Sequence, residues 1–422
     1  MIIIYRFLIN FIIILSPIII FVRLIKKKEH PIRFKEKFCF FSKKRNKGKL
    51  IWFHGASVGE IISVIPLIEK LEKKKSIQKI LLTSSTLSSA SIFKKFNLKK
   101  TIHQFFPIDS KFLTKKFLDY WKPSIAIFIE SEIWPNMFIE IKKKSIPLVL
   151  LNARVTKKAF NKWFKIKKFS NYIFSKIDIA YPQNFETLKY LKKFKVSKVK
   201  IIGNLKFSEN KNDKTTSLNK SFIKQINNKK VWCASSTHAD EELICAKVHI
   251  NLKKKYKNLL TIIIPRHTNR VEEITNKIQK LGLNVMSHSL NKEILKDTDI
   301  YIVDTYGETQ KFYKISNPVF LGGSLSHPEI KKGGQNPIEP ARVGAKIVHG
   351  PNIGNFKEVY KLFQSKKISY KASGLFKLTK LVDKLIENSK NKNIKIKRIG
   401  DNILNKTTSE INNLLKNEIK KT

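Results

Sequence analysis

Acidic residues are scarce in this chain. Only 32 Asp and Glu stand against 84 Lys and Arg across 422 residues, a formal net charge of +52. Such a surface suits anionic partners, either anionic lipid or a phosphorylated substrate. The lysines run along the whole length rather than in one arm. No RNA- or DNA-binding motif accompanies them, and no basic-aromatic interleave of the single-strand type occurs, so nucleic acid is not an expected partner. The abundance of Lys, Asn and Ile matches the drift seen in chains from A/T-rich genomes. Cysteine is nearly absent. Cys39, Cys233 and Cys245 have no metal spacing, and an odd, small number fits a reducing compartment. Walker, GxGxxG, HExxH and Cys/His metal patterns are missing too, which argues against ATP hydrolysis, dinucleotide redox chemistry and a structural zinc site. No cofactor and no metal is expected, and no internal repeat is evident.

What the chain does have begins at its N-terminus. From Ile2 to Ile25 it is almost wholly apolar, broken by Arg6, Asn10, Ser16, Pro17 and Arg23. A helix of that length, at about 1.5 Å per residue, reaches across a bilayer core. Arg23, Lys26, Lys27 and Lys28 close the segment, and positive charge on that side keeps the body in the cytoplasm. A cleaved signal peptide is the rival reading, but no small-residue cleavage site follows. The expectation is one retained anchor over 1–25, spanning the bilayer or lying in its interface.

Pro31 to Lys49 reads as a basic connector. Short apolar runs then alternate with helical patterns: LIWFHG, KILLTSS, SIAIFIES, IPLVLLNA and IDIAYPQ. Continuous apolar strands of this kind belong to parallel sheets buried on both faces. The polar stretch Ser208–Lys220 reads as a linker, after which KVWCASS, LLTIIIPRH, LNVMSHS, DIYIVDT, PVFLGGS and AKIVHGP restart the pattern. The fold class is α/β, with two doubly wound halves facing a cleft. The expected domains are 31–210 and 217–400, with a basic helix or tail over 401–422.

Several strand ends carry chemistry-bearing residues. HGASVGE places Ser57, Gly59 and Glu60 at a helix start, where anions are favoured; the plain alternative for Glu60 is a first-turn carboxylate set against the helix dipole. His54 reads by default as a satisfied core histidine. ESEIWPN puts Glu130 and Glu132 at another strand end, as proton acceptors or sugar ligands or as a cap before a Trp-Pro turn. Arg154 in LNAR and Arg266 in PRH offer forks for phosphate or carboxylate, against the plain reading of solvated basic loops. Ser235, Ser236, Thr237 and His238 precede Glu241 and Glu242 as a helix cap first and an anion site second. Gly322–Pro351, with Glu339 among glycine pairs, reads either as a surface loop or as a loop whose backbone N–H groups meet a nucleotide.

Together these strings resemble the bacterial Kdo transferases, which attach 3-deoxy-D-manno-octulosonic acid to the lipid A precursor. The matching segments are HGASVGE, ESEIWPN, LNAR, GNLKF (Gly203 to Phe207), ASSTHADEE, PRHTNR, DTYGET and GGSL…GGQNPIEPA…GP..GNF, in family order as far as Phe356. The resemblance implies a glycosyltransferase B fold of two Rossmann-like domains. It implies inverting transfer from CMP-Kdo to a glucosamine hydroxyl of the tetraacylated lipid A precursor, at the cytoplasmic face of the inner membrane with its anionic lipid. It also implies roles: Glu60 as catalytic base and Glu132 as a second required acid. Arg266, His267, Gly307, Glu308, Gly323, Asn336 and Glu339 fall on the donor side, and Ser57, Gly59 and Arg154 on the acceptor side. The chain departs from the family in two places. It has GGQN, with Gln335, where GGHN is common, and Gln cannot carry a charge. Its loop SLSHPEIKKGG, with His327, is longer than the family's. Two other readings stay open, another nucleotide-sugar enzyme of the same fold (an epimerase or a uridine-donor transferase) and a non-enzymatic binder of anionic lipid.

Overall fold

The computed structural model describes residues 1–45, 48–209, 218–290, 294–325, 333–387 and 394–419. His327 and most of the Ser208–Lys220 linker lie outside the described residues. Tertiary contacts divide the chain into two compact units. Unit 1 is Met1–Asn210 together with Arg398–Thr422, and unit 2 is Lys211–Lys397.

Unit 1 is built on seven parallel strands: β1 (Leu50–His54), β2 (Lys79–Ser84), β3 (Thr101–Phe105), β4 (Ile125–Ile129), β5 (Leu148–Ala153), β6 (Ile179–Pro182) and β7 (Lys198–Val199). Their order is β3-β2-β1-β4-β5-β6-β7. β1, β4 and β5 are buried from end to end, as strands covered by helices on both faces must be. Trp52, Phe117, Phe128 and Phe138 interlock on one face of the sheet. The chain winds outward from β1 to β3 and then returns to β4 on the other side of β1. That reversal opens a crevice at the carboxyl ends of β1 and β4, where doubly wound sheets bind ligands.

Unit 2 repeats the plan with β8 (Lys230–Thr237), β9 (Leu259–Pro265), β10 (Val285–Ser287), β11 (Ile300–Ile302), β12 (Val319–Leu321), β13 (Ile347–His349) and β14 (Ser369–Lys371). The order is β10-β11-β9-β8-β12-β13-β14, all pairs parallel, so the reversal falls between β8 and β12.

Three strands escaped the sequence reading. β3 reads TIHQF, too polar to stand out as an apolar run, while β7 and β14 are short. The basic connector is also more structured than its composition implies. Arg33–Phe38 forms a 3-10 helix whose buried Glu36 takes both the Nε and an Nη of Arg33, at 2.8 and 3.0 Å, and the N–H of Phe105 at 2.8 Å. Burial pushes the Glu36 carboxyl upward, but these donors and Ser42 outweigh it and leave the group below its ordinary value.

The last helix, Ile394–Ile419, packs from Arg398 onward with unit 1. Two glycines permit the contact. A Cβ on Gly203 would sit 2.7 Å from Ile403 Cδ1, and one on Gly400 would sit 2.2 Å from the Phe207 carbonyl oxygen. Ser208 Oγ donates to Gly400 O at 2.9 Å, and Tyr181 Oη to Glu410 Oε2 at 2.9 Å.

The apolar N-terminal segment forms one helix, Ile2–Ile25, with Pro17 inside it. Its most apolar stretch has a mean hydropathy of 2.6, so by length and composition it is able to cross a membrane.

Candidate active site

In unit 1 the reversal between β1 and β4 gathers the predicted carboxylates. Ser57 caps the helix Val58–Glu72, and Glu60 closes a capping box with it. The Ala56 N–H donates to Glu60 Oε2 at 2.7 Å, and Ser57 Oγ accepts the Glu60 N–H at 3.3 Å. Gly55 makes this fold-back possible, since a Cβ there would stand 3.1 Å from Glu60 Cβ. The sequence left two readings of Glu60 open, a helix-terminal carboxylate and a reactive one. Its carboxylate does close the cap of the helix, as the plainer reading has it. Burial and the nearby charges of Glu132 and Glu130 raise its pKa to about 7, against the opposing pull of Ala56 and Ser57.

Glu132 has the opposite character. Its Oε2 faces His54 Nε2 at 3.1 Å and accepts the Trp134 indole N–H at 2.9 Å. Burial raises its pKa, but His54 and Trp134 more than offset that and hold it below the ordinary value. Glu132 Oε1 has no hydrogen-bond partner among the described residues. His54 is fully buried, stacked on Phe106 with ring centroids 3.8 Å apart, and its Nδ1 lies 3.0 Å from Thr83 Oγ1. The sequence reading treated His54 as a satisfied core histidine. It is satisfied, and its partner is the candidate acid. Two carboxyls pushed apart in acidity at the ends of neighbouring strands are an arrangement able to move a proton near neutral pH.

The neighbouring strand ends brace this pair. Glu130 and Asn152 follow or end β4 and β5 with left-handed φ of 54° and 52°, a conformation non-glycine residues adopt where surroundings enforce it. Here Lys206 Nζ meets buried Glu130 Oε1 at 2.6 Å, and Leu205 N–H donates to Asn152 Oδ1 at 3.1 Å. Lys206 belongs to the GNLKF string, which the sequence reading matched but gave no role. Arg154 joins the group through its backbone, donating its N–H to Glu130 O at 3.1 Å and accepting at its own carbonyl from Ser131 Oγ at 2.7 Å. Gly59 is exposed, with nothing within 4 Å of where a Cβ would stand. The helix Pro135–Lys143, which begins at the Pro-Asn of ESEIWPN, is capped from a distance, its N-cap Trp134 giving no side-chain bond. Buried Asp109 takes the N–H groups of Asn136 and Met137 at 3.0 and 2.8 Å, and burial lifts its pKa to about 7 despite those bonds and that from Tyr5.

In unit 2 the β8–β12 reversal is organised by a residue read only as part of a helix cap. The side chain of fully buried Glu241 accepts the backbone N–H groups of His238 and Gly323 at Oε2, at 3.0 and 2.7 Å. Its Oε1 accepts those of Ser324 and Leu325, at 3.0 and 2.9 Å. The hydroxyls before this helix do not cap it, since its N-cap is Asp240, with φ 72° and no side-chain cap. Among the described residues of the glycine-rich stretch, the N–H groups of Gly322, Gly323, Ser324, Leu325 and Gly350 are taken up within the unit. Gly322 N–H goes to Ser235 O at 2.9 Å, and Gly350 N–H to Ser324 Oγ at 2.8 Å. The glycines serve close backbone packing: a Cβ on Gly322 would fall 2.6 Å from Glu241 Oε2, and one on Gly350 2.1 Å from Ser324 O.

The other donor-side candidates lie around this core. A Cβ on Gly323 would approach His238 Cδ2 to 3.0 Å and Gln335 Nε2 to 3.4 Å. Asn336 Oδ1 accepts the Ile338 N–H at 3.0 Å, and Glu339 lies in the first turn of the helix Ile338–Arg342. Arg266 is exposed after β9, its N–H on Thr237 O at 3.0 Å, and His267 is exposed beside it, 5.9 Å from the His238 ring. Glu308 is tied inside the unit to His288 Nε2 at 3.1 Å, to Lys311 and to Thr305. Burial raises its pKa, and these partners lower it further, leaving a net depression. Gly307, with φ 87°, borders open space.

A family model described as 3-deoxy-D-manno-octulosonic-acid transferase (kdotransferase) matches residues 32–209. A 3-deoxy-D-manno-octulosonic acid transferase of Rickettsia bellii is 33% identical over 381 residues, covering 90% of this chain and 89% of that one. The Haemophilus influenzae transferase of the same name is 31% identical over 322 residues, 74% of this chain and 73% of that one. Among solved structures, the UDP-GlcNAc 2-epimerase of Neisseria meningitidis bound to UDP-GlcNAc superposes with a TM-score of 0.59 at 15% identity, over 87% of this chain and 99% of that one. That likeness is one of fold alone. The sequence kinship runs along nearly the whole of both chains, so this protein belongs to the Kdo transferase family and is a glycosyltransferase.

Proposed function

We propose that the chain transfers Kdo from CMP-Kdo to a glucosamine hydroxyl of the tetraacylated lipid A precursor, with inversion, at the cytoplasmic face of a bacterial inner membrane. The observation that supports this reading is the kinship with named Kdo transferases along nearly the whole chain, joined in the site by a buried Glu60 held in a capping box near Glu132. In the reaction the acceptor oxygen bonds to the anomeric carbon of Kdo as the bond from that carbon to the CMP phosphate oxygen breaks. The hydroxyl proton passes to Glu60, and CMP departs with the electron pair. Glu132, fixed by His54 and Trp134, keeps a negative charge facing the sugar as positive character develops at the anomeric carbon.

The exposed guanidinium of Arg266, with His267, is suited to the phosphate of CMP. Gly307, Glu308, Gly323, Asn336 and Glu339 complete the donor side. Ser57 and Gly59 leave room for the acceptor beside Glu60, and Arg154 is suited to one of its phosphates. The exposed Lys26, Lys27 and Lys28 after the N-terminal helix suit an anionic leaflet.

The test is incubation of membranes carrying the protein with lipid A precursor and CMP-Kdo, the lipid product being read by mass spectrometry. One or more Kdo mass increments are expected, together with loss of turnover but retained CMP binding in Glu60→Gln. Near-normal turnover of that variant would remove Glu60 from the role of base.

A further inference from the structure

The helix Ile2–Ile25 has two faces with different partners. On one side it is fastened to unit 1 along most of its length. Near its start, Tyr5 Oη donates to Asp109 Oδ2 at 2.7 Å and Arg6 Nε to Asn136 Oδ1 at 2.9 Å. In the middle, Ile13 packs on the unit 1 core and Ser16 is buried. At its end, Arg23 Nε meets buried Glu29 at 3.1 Å, and Lys37 Nζ holds the same carboxylate at 2.6 Å. Lys37 in turn accepts the Ile108 N–H, one residue from Asp109.

The other face is bare. Ile3, Phe7, Ile14, Ile18, Phe21 and Ile25 are 77, 71, 73, 65, 64 and 66% exposed. At 3.6 residues per turn these six fall within an arc of roughly 60°, and Ile4, Leu8, Phe11, Ile12, Ile19 and Val22, also exposed, widen the apolar face to about half the helix circumference. A stripe of that size, in a helix with three exposed lysines after it, is matched by the acyl layer and headgroups of an anionic leaflet.

These two faces decide how the helix meets the membrane. A helix crossing the bilayer would carry its start and its end to opposite surfaces. Its start is bonded to Asp109 and Asn136 and its end to Glu29, all polar groups of one compact unit. Crossing would draw part of that unit, with those groups, through hydrocarbon, at a cost of several kcal/mol for each polar group that lost its partner. We infer that Ile2–Ile25 does not cross the bilayer: it lies along the membrane plane, clamped to unit 1 by Tyr5, Arg6 and Arg23, with the Phe7–Ile14–Phe21 stripe sunk in one leaflet. The inference concerns membrane topology and stands apart from the transferase reading.

Cys39, Cys233 and Cys245 are all buried, so single cysteines can be placed in the full chain as reporters. Phe7→Cys, Ile14→Cys and Phe21→Cys, all on the bare face, would each carry a fluorophore. The proteins would be bound to phosphatidylglycerol-containing vesicles with nitroxide lipids at two depths. The expected result is one common depth at all three positions, about 5–10 Å into the headgroup–acyl boundary. A crossing helix would put position 14 near the bilayer centre, with 7 and 21 about 10 Å to either side of it. That pattern, or the absence of quenching at all three positions, would overturn the inference. No substrate enters the measurement, so its failure and a failure of the transfer reaction are separate results.

Discussion

His54 Nε2 and Glu132 Oε2 lie 3.1 Å apart, joining the end of β1 to the turn after β4 across the reversal of the unit 1 sheet. The bond fixes one carboxylate at low pKa while Glu60, nearby, is raised. The first two predictions test that division.

Transfer is expected to increase with pH through about 7 and level off above it. Glu60 accepts the proton only as a carboxylate, and at pH 6 roughly a tenth of the molecules carry it ionised. A pH profile of kcat/KM checks this, and a flat profile between pH 5.5 and 8 would contradict it. Stability carries the same signature with the opposite sign. The folded state binds the Glu60 proton more tightly than the unfolded chain, so wild type loses stability relative to Glu60→Gln as pH climbs from about 4.5 to about 7. Urea melts of the two proteins at pH 4.5 and pH 8 measure the difference.

His54→Phe keeps a ring stacked on Phe106 and removes both nitrogens. Glu132 then loses the partner that most strongly lowers its pKa, and Thr83 loses a hydrogen-bond neighbour. A drop in kcat of about 100-fold is expected, with a stability loss of about 1–3 kcal/mol. CMP binding, assigned to unit 2, should be unchanged. A variant with normal kcat would reduce His54 to packing.

Glu241→Gln replaces a carboxylate that accepts four backbone N–H groups by an amide with a single acceptor oxygen. Unit 2 should lose about 3 kcal/mol in denaturant unfolding, and CMP affinity should fall as the glycine loop loosens. Calorimetric titration with CMP at a temperature where the variant is still folded reads the second effect.

Two glycines should respond in opposite ways. Gly350→Ala would place a methyl 2.1 Å from Ser324 O and is expected to cost about 3 kcal/mol or to prevent folding. Gly59→Ala meets nothing within 4 Å and should gain up to about 1 kcal/mol from helix propensity. A raised KM for the lipid acceptor in that otherwise stable variant would mark Gly59 as a place where the acceptor passes.

The apolar runs made most of the sheet visible in the sequence, because a parallel strand covered on both faces must be continuously hydrophobic. β1, β4, β5, β8 and β9 announce themselves in this way, and β3 does not, since it carries Thr101, His103 and Gln104. The carboxylates at strand ends were legible by position. Their surroundings were not, because these come from partners far along the chain: His54 for Glu132, Lys206 for Glu130 and Gly323 for Glu241. No local pattern encodes which side chains a fold brings together over such separations. Asp109 capping the helix Pro135–Lys143 belongs to the same class. Glu241 does lie in the first turn where the sequence put it, but its bonds to the glycine loop have no local signal.

The return of Arg398–Thr422 to unit 1 bears on how the protein is made. Unit 2 is one uninterrupted length of polypeptide, so all of its own contacts are available before the last helix is made. Unit 1 must wait, its Gly203 surface uncovered, until the final helix has been synthesised. The half of the molecule translated first is therefore the half finished last, its docking surface for that helix open while unit 2 is being made.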